Sequence, residues 1–519
     1  MKKIKSIIVQ DKVLICRTLL FTFIIGLIAH GYAFFNGLFS HDSLKVYPDK
    51  NEIIWHISLG RFLQEPYRIC RGELAAPWLI GLMSLLWISV TAYLIIKLLK
   101  IKTVIMQFAT CGILAVNLTT ISINATYMFY IDIFMFALLM AVLAVFFVEK
   151  VKFGIFWGAI FICISMGLYQ SFFAVAVTLF IMLSIDHIVR GDSTKNVIKS
   201  GAYEVGSLLL GGILYMVLLR IVLKYTNVDL SNGYNGIANV VSGKITVDSI
   251  PKLIVSTYTY YLNFLFKPNG YGGKGIVIIN MLCVILLIGS FIQLVYKNKV
   301  GKVNIAIGCF LLLLFPFASN LTYFISQGMV HMLMVYSWFL IYPFALFLIE
   351  RQSYAKLLEK YQVPLKVFSC MLVGIMVWNG VIYANGAYLK KTLEEKSTLS
   401  VATRVLERIE ATDGYVAGET PVAFVGNIND SVLSVTREGF ERYTDTYSIG
   451  MTYNYGITYG IGMAEKYFSV QLGYPINFVN QEEIGSLSQS DEVITMPCFP
   501  EVGSVKFVGN VLVVKFSQE

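Results

Sequence analysis

The chain has 519 residues, of which 56% are hydrophobic and 14% charged, and its mean hydropathy is +0.68. This composition excludes an ordinary soluble enzyme and predicts an integral membrane protein in contact with the lipid bilayer. The net charge is +9, but residues 389–519 carry ten Lys/Arg against 17 Asp/Glu. The basic excess therefore belongs to the apolar part of the chain. This distribution argues against a nucleic acid partner.

Apolar segments long enough to cross a bilayer, about 20 residues each, recur along most of the chain. We predict an all-α membrane region of eleven spans, beginning with an uncleaved first helix: 13–35, 74–96, 103–122, 128–148, 153–168, 170–188, 201–223, 276–296, 303–319, 331–349 and 367–388. The apolar stretch 153–188 is too long for one span. A bend at its polar point, Gly167–Gln170, divides it into two helices.

Lys and Arg residues collect in alternate connecting segments, as at Lys97, Lys100 and Lys102. Such residues concentrate on the cytoplasmic side of membrane proteins. We therefore predict a multi-pass protein of the plasma or inner membrane with a cytoplasmic N-terminus. Two long loops, 37–73 and 225–275, then lie outside the cell membrane together with the tail.

The first long loop is the most polar part of the N-terminal half and contains the sequence NGLFSHDSLKVYPDKNEIIWHISLGRFLQEPYRICR. Asp42 follows the first span directly, where a general base could reach a substrate at the membrane surface. The alternative is that His41–Asp42–Ser43 caps a turn. Glu52 lies in an amphipathic stretch and faces either solvent or the site. Asp132 starts an apolar span, where ionisable groups tend to be functional but can also cap the helix.

Basic residues matter if a phosphate leaves during the reaction. Arg61 can bind a phosphate through two donors, or its side chain extends to the lipid head groups. Arg220 and the lysines of KPNGYGGKG, Lys267 and Lys274, are further phosphate-binding candidates, with an ordinary turn as the alternative. A possible amphipathic surface helix near Ile250–Phe266 precedes that loop.

Single polar residues at predicted helix ends are candidates to line a cavity, although structural roles are equally open for them. They are His41, Tyr169, Gln170 and His331. No HExxH, Walker or Cys/His metal pattern occurs in the sequence. We expect no cofactor, and a divalent metal ion is compatible with the sequence without being indicated by it.

The tail, residues 389–519, predicts a small α/β domain distinct from the catalytic membrane domain of residues 1–388. It starts with the helical pattern LEEKSTLSVATRVLERIEA, and GIGMAEKYFSVQ is also helical. The segments PVAFVG, VITMP, SVKFVG and NVLVVKF are typical of strands, with a turn at Gly509–Asn510.

Three stretches give the chain a family resemblance: FFNGLFSHDSL, ISLGRFL and GLYQSFFAVAV. With the hydropathy layout, they resemble the Gtr-type membrane glucosyltransferases of the GT-C superfamily, which modify O-antigen and related cell envelope polysaccharides. The resemblance implies a GT-C-like helical bundle. It also implies transfer of a hexose, typically glucose, from a polyprenyl-phosphate carrier to a glycan acceptor outside the membrane.

By the same resemblance, Asp42 is the catalytic base, Asp132 a further catalytic candidate, and Glu52 and Arg61 help to hold donor or acceptor. Whether Asp49 or Glu52 is the second acid stays open. The expected mechanism is one displacement with inversion at the anomeric carbon, and the departing phosphate needs no general acid.

Two other classes of protein share some of these features. A polysaccharide transporter or polymerase could have as many spans, but transporters often show internal repeats, and we find no convincing repeat. A sensor or scaffold would leave the acids and arginines of the first loop unexplained.

Overall fold

Helices dominate the computed structural model, which describes residues 2–38, 44, 50–231, 247–354, 359–427, 440–443 and 461–517. His41, Asp42 and Asp49 lie outside the described residues. The helices up to the tail are α1 (Lys2–Asn36), α2 (Lys50–Ser58), α3 (Gln64–Arg71), α4 (Pro77–Leu99), α5 (Val104–Ala115), α6 (Leu118–Thr126), α7 (Ile131–Lys150), α8 (Gly154–Leu168), α9 (Phe173–Val189), α10 (Thr194–Thr226), α11 (Ile250–Phe266), α12 (Lys274–Lys297), α13 (Lys302–Ser319), α14 (Leu321–Ile325), α15 (Ile341–Tyr354) and α16 (Glu359–Glu410).

Nine helices within the described residues are long and apolar enough to cross a membrane. The predicted span 153–168 is the 15-residue helix α8, which is shorter than those nine. The predicted span 331–349 starts as two short 3₁₀ helices before α15. The polytopic helical architecture is therefore confirmed, whereas the count of eleven spans stays a prediction.

The predicted bend at Gly167–Gln170 is confirmed. Helix α8 ends at Leu168, Tyr169 is extended, and a 3₁₀ turn over Gln170–Phe172 leads into α9. The predicted amphipathic helix is also present as α11, with the bounds Ile250–Phe266.

The turn between α2 and α3 is fixed to two helices of the bundle, α8 and α10. Gly60 has a φ of 77°, a left-handed conformation that favours glycine. The Leu63 amide donates to the Gly167 carbonyl at 3.0 Å, and a Cβ on Gly167 would lie 2.9 Å from the Leu63 side chain. Tyr215 of α10 donates its hydroxyl to the Gly60 carbonyl at 3.1 Å. Helices α2 and α3 therefore have a defined position against the bundle.

Helix α16 is continuous for 52 residues, which corresponds to about 78 Å at the rise of an α-helix. The sequence predicts two separate helices here, a membrane span at 367–388 and a helix at the start of the tail. The structure joins them, because the stretch from Lys390 to Glu410 contains no Pro or Gly and is rich in residues that favour helix. The membrane bundle and the tail thus share one helix.

The tail contains a four-stranded sheet with the strand order β2-β1-β4-β3. Its elements are β1 (Pro421–Val425), α17 (Ile461–Lys466), β2 (Asn477–Phe478), α18 (Gln481–Ser488), α19 (Asp491–Ile494), β3 (Val505–Val508) and β4 (Val511–Lys515). Strand β1 is parallel to β2 and β4, and β3 is antiparallel to β4. The strands in PVAFVG, SVKFVG and NVLVVKF are confirmed. The strand in VITMP is wrong, because the Ser490 side chain caps a short helix there.

Leu44 connects the first loop to the tail. Its side chain is buried in the hydrophobic core that contains Val401, Ile409 and Phe468, and its carbonyl accepts a hydrogen bond from Gln471 Nε2 at 3.1 Å. The first loop and the tail therefore lie at the same end of the bundle. We call this end, which also carries α2 and α3, the tail-side end.

Candidate functional site

Three carboxylates and two guanidinium groups meet at the tail-side end, where α2 and α3 contact the start of α7. The residues are Glu52, Glu65, Arg68, Arg71 and Asp132. We call this set the tail-side charge cluster. It brings together two of the acids predicted from the sequence, Glu52 and Asp132, which are 80 positions apart in the chain.

Arg68 is the centre of the first half of the cluster, with a side chain that is only 3% exposed. Its Nη1 donates to Glu52 Oε1 at 3.0 Å and its Nε donates to Glu65 Oε2 at 3.0 Å. Glu65 and Arg68 are three residues apart on α3, so they are neighbours on the helix surface. The Tyr130 hydroxyl donates to Glu52 as well. Glu52 is therefore held in one orientation by two donors.

Arg71 and Asp132 form the second half, a buried ion pair. Arg71 Nη1 lies 2.9 Å from Asp132 Oδ1, and both side chains are at most 2% exposed. Arg71 also donates to the Phe129 carbonyl at 3.2 Å. Helix α7 begins at Ile131, so Asp132 is in its first turn and is not the residue that caps it. The pair links α3 to α7 across the cluster.

Tyr67 extends the cluster towards α4. Its hydroxyl accepts a hydrogen bond from Trp87 Nε1 at 2.9 Å and lies beside the carboxylate of Asp132. Burial, and then the negative charge of Asp132, raise the pKa of Tyr67 above its ordinary value. Tyr67 therefore stays a neutral hydrogen-bonding group at physiological pH.

The cluster contains one carboxylate more than it has guanidinium groups. The Asp132 side chain is fully buried, whereas the side chains of Glu52 and Glu65 are 12% and 21% exposed. An oriented carboxylate at the edge of a cluster can accept hydrogen bonds from hydroxyl groups or take a proton from one of them. The cluster can therefore bind a polyhydroxylated substrate on the side of Glu52 and Glu65.

A second group of predicted residues comes together beside the cluster. The Arg61 guanidinium lies over the ring of Tyr169, 4.9 Å from its centroid. Gln170 Nε2 donates to the Leu59 carbonyl at 2.7 Å and to the Tyr215 hydroxyl at 3.0 Å. Within the described chain, Arg61 Nε is buried without a hydrogen-bond acceptor. Arg61 is therefore oriented by aromatic packing and has a donor available for an anion.

The other predicted basic residues are elsewhere on the surface. Arg220, Lys267 and Lys274 are exposed, and none forms an ion pair in the parts of the chain that the structure describes. Between the two lysines, the Tyr271 carbonyl accepts a hydrogen bond from Asn379 of α16 at 2.9 Å. The structure does not bring these three residues into the cluster, so their phosphate-binding role stays a prediction.

The remaining predicted residues divide into described and undescribed positions. His331 is half-buried and precedes the 3₁₀ turn at Met332–Met334. His41 and Asp42 lie outside the described residues. Among the described residues, no group of three His, Cys, Asp or Glu side chains is arranged to hold a metal ion. The expectation that no cofactor is needed stays a prediction.

Sequence reasoning missed several members of the site. Glu65, Arg68 and Arg71 are charged residues of the first loop to which the sequence assigned no role, and Tyr130 was not singled out either. The i, i+3 spacing of Glu65 and Arg68 is a signal that could have identified that pair. The partners of Arg71 and Tyr130 come from distant segments, and their pairing depends on the tertiary fold.

A family model described as glucosyl transferase GtrII matches residues 31–342, more than half of the chain. The matched range contains every member of the tail-side charge cluster and ends before α16 and the tail. No curated protein and no solved structure matches the chain. The chain belongs to the GtrII glucosyl transferase family.

Proposed function

We propose that this membrane glucosyltransferase moves glucose from a polyprenyl-phosphate carrier to a glycan of the cell surface, on the extracytoplasmic side. The observation that carries this proposal is the surplus, partly exposed carboxylate of the tail-side charge cluster. It lies within the segment that matches the family, at one end of a bundle of membrane-length helices. A lipid-linked sugar presents its head group at that depth.

Glu52 is suited to bind the sugar. Two donors, Arg68 Nη1 and the Tyr130 hydroxyl, fix its carboxylate, and its side chain is 12% exposed. Carboxylates that accept hydrogen bonds from hydroxyl groups are strong, directional partners. In this proposal Glu52 orients donor or acceptor hydroxyls.

Asp42 is the proposed catalytic base. It lies outside the described residues, between Leu38 and Leu44, which are both buried. Leu38 lies two residues after the end of α1, and Leu44 is buried in the core of the tail.

The proposed reaction is a single displacement with inversion. Asp42 takes the proton of an acceptor hydroxyl as its oxygen forms a bond to the anomeric carbon. The bond from that carbon to the phosphate oxygen breaks, and the electron pair leaves with the polyprenyl phosphate. Arg61, with its free Nε donor, stabilises the charge on the departing phosphate.

Asp132 takes a different part in this scheme from the catalytic one predicted from the sequence. Its side chain is fully buried and bonded to Arg71, which leaves it without access to a substrate hydroxyl. We assign it a positioning role, in which it fixes α3 and so Arg68 and Glu52.

The test is glucose transfer by purified protein from a radiolabelled polyprenyl-phosphate glucose. We expect Asp42→Asn to lower kcat by about 10²–10⁴-fold, the usual contribution of a general base, with donor binding retained. Asp229→Asn is the matched control, because Asp229 is an exposed acid that no part of the mechanism uses. Its activity should equal that of the wild type.

Two other outcomes would contradict parts of the proposal. Full activity of Asp42→Asn would exclude Asp42 as the base and make Glu52 the next candidate. Failure of the wild type to transfer glucose from any polyprenyl-phosphate donor would refute the donor class. Proteolysis of intact spheroplasts tests the side of the membrane, since an extracytoplasmic tail should be cleaved.

A further inference from the structure

Two adjacent lysines bury their side chains where α16 leaves the bundle. Lys390 and Lys391 are each 5% exposed, although lysine is almost never buried without a partner. They follow Tyr388, whose hydroxyl is 2.7 Å from His30 Nδ1 of α1. The next residue, Thr392, is hydrogen-bonded to Tyr32 of α1 at 3.1 Å. The lysines are therefore at the level where the first loop leaves α1.

Neither ammonium group has its hydrogen-bonding capacity filled by the described residues. Lys390 Nζ is buried without a hydrogen-bond acceptor, and its nearest carboxylate oxygen, on Glu394, is 3.6 Å away. Lys391 forms no ion pair within the described residues, and its closest opposite charges are Glu394 and Glu395. An ammonium group has three donors, and leaving them unused in a buried position is costly.

Lys515 shows how the same chain satisfies a lysine that is buried for structural reasons. Its side chain is also buried, and its Nζ donates to the carbonyl oxygens of Val493, Ile494 and Met496 at 2.8, 2.8 and 3.0 Å. All three donors are used. Lys390 has a comparable exposure and no such set of acceptors, so stabilisation of the fold does not explain its burial.

We propose that Lys390 and Lys391 bind the phosphate group of the released polyprenyl carrier. Two buried lysines that follow each other in the sequence at the membrane boundary suit a group with two negative charges, and a phosphate oxygen is an acceptor that either lysine can bind as a point charge. Glu394 offsets part of the positive charge, which favours release of the bound anion. The assignment rests on the proposed function, because it takes the lipid carrier from there.

The reaction itself explains why two cations are useful. A polyprenyl-phosphate glucose is a phosphodiester with one negative charge. When the bond to the anomeric carbon breaks, the product is a phosphomonoester that gains a second negative charge. Lysines that contact this phosphate stabilise the product, and the transition state that leads to it, more than the donor. The site should therefore bind polyprenyl phosphate more tightly than the glucosylated donor.

The experiment measures binding of lipids to the full-length protein in nanodiscs, without sugar. The probes are polyprenyl phosphate, the uncharged polyprenol and inorganic phosphate. We expect the wild type to bind polyprenyl phosphate at least about tenfold more tightly than polyprenol, as charge-assisted hydrogen bonds allow. Lys390→Met and Lys391→Met should each reduce that preference several-fold and together abolish it.

Controls separate binding from folding. Lys396→Met changes an exposed lysine of the same helix and should keep the wild-type preference. Lys390→Arg retains the charge and should keep most of the preference for polyprenyl phosphate. If a methionine variant fails to fold, the arginine variants still test the site. They should bind polyprenyl phosphate with an affinity that differs from that of the wild type.

Several results would overturn the assignment. Methionine variants that bind polyprenyl phosphate as the wild type does would exclude both lysines. Competition by inorganic phosphate at the same concentration as the lipid would show a site for free phosphate and exclude a lipid head group. A wild type that prefers polyprenyl phosphate but transfers no glucose would leave this site intact and refute the proposed function alone.

Discussion

The two ends of the bundle each contain buried ion pairs, but they balance charge differently. At the end opposite the tail, Asp186 lies 2.6 Å from Arg351 Nε and 3.3 Å from Arg190 Nε. The Asp186 carboxylate is thus paired with two guanidinium groups, that of Arg190 just after α9 and that of Arg351 on α15. At the tail-side end three carboxylates share two arginines, and the Glu52 side chain stays 12% exposed.

This difference shows that a charged cluster can either stabilise the fold or bind a substrate. The Asp186 carboxylate, 4% exposed, is held between two cationic groups of the protein. The side chains of Glu52 and Glu65 keep exposed fractions of 12% and 21% beside Arg68. Surplus negative charge that is oriented and partly exposed can attract the hydroxyl groups of a ligand, whereas the carboxylate at the opposite end is already paired with two cations.

The largest effect should come from the buried pair of the tail-side end. Arg71→Met leaves the Asp132 carboxylate buried without its partner, which costs about 3–5 kcal/mol. We expect a corresponding loss of unfolding free energy, measured by denaturant titration in detergent. The double variant Arg71→Met/Asp132→Leu removes both charges and should regain most of the stability. An Arg71→Met variant as stable as the wild type would show that the pair contributes nothing.

The second effect concerns Asp186 at the end opposite the tail, where a substitution should lower stability without lowering activity. Asp186→Asn keeps a hydrogen-bond acceptor but leaves Arg351 without its carboxylate, whereas Arg190 keeps Asp192 at 3.7 Å. We expect a loss of about 3 kcal/mol. The rate of glucose transfer per folded molecule should stay at the wild-type level. A lower kcat in the folded fraction would contradict the assignment of this cluster to structure.

The third effect distinguishes two acids that share Arg68. Glu52→Gln should lower kcat/KM for transfer by about 10–100-fold, since it removes a charged acceptor for sugar hydroxyls. Glu65→Gln, on the more exposed side of the same arginine, should change kcat/KM by less than about threefold. Equal effects of the two substitutions would mean that Arg68, and not Glu52, is what the substrate requires.

The smallest effect concerns Arg61. Arg61→Lys keeps the charge but loses the planar group over Tyr169 and the free Nε donor, so we expect KM for the donor to rise about fivefold. Arg404→Lys is the control, because Arg404 is an exposed arginine that the mechanism does not use, and its KM should not change. A rise in KM for Arg220→Lys alone would move the phosphate site to that residue.

The sequence predicted much of the helical fold, because length and hydropathy are local properties. It predicted the bend at Gly167–Gln170 from one polar point. It missed the continuity of α16, since the charges after Tyr388 mark the end of a span without ending a helix. It also misassigned VITMP, where a serine cap outweighs the β-branched residues.

The site was predictable only in its location. The density of charge in the first loop indicated where chemistry would be, and Glu52 and Asp132 do meet there. Their arginine partners could not be deduced, because Arg71 and Asp132 are 61 positions apart and meet only through packing of α3 on α7. Lys390 was missed because its unusual feature is burial, which the sequence does not reveal.

The contact between Leu44 and Gln471, which joins residues 427 positions apart, has a consequence for folding. During synthesis the N-terminal loop leaves the ribosome long before the residues on which it docks. Domains generally form from the N-terminus onwards, and contacts of high sequence separation form slowly. The packing of Leu44 is therefore completed last, after the tail has been synthesised. Under the proposed function, an unfinished chain lacks this contact and should not yet transfer glucose.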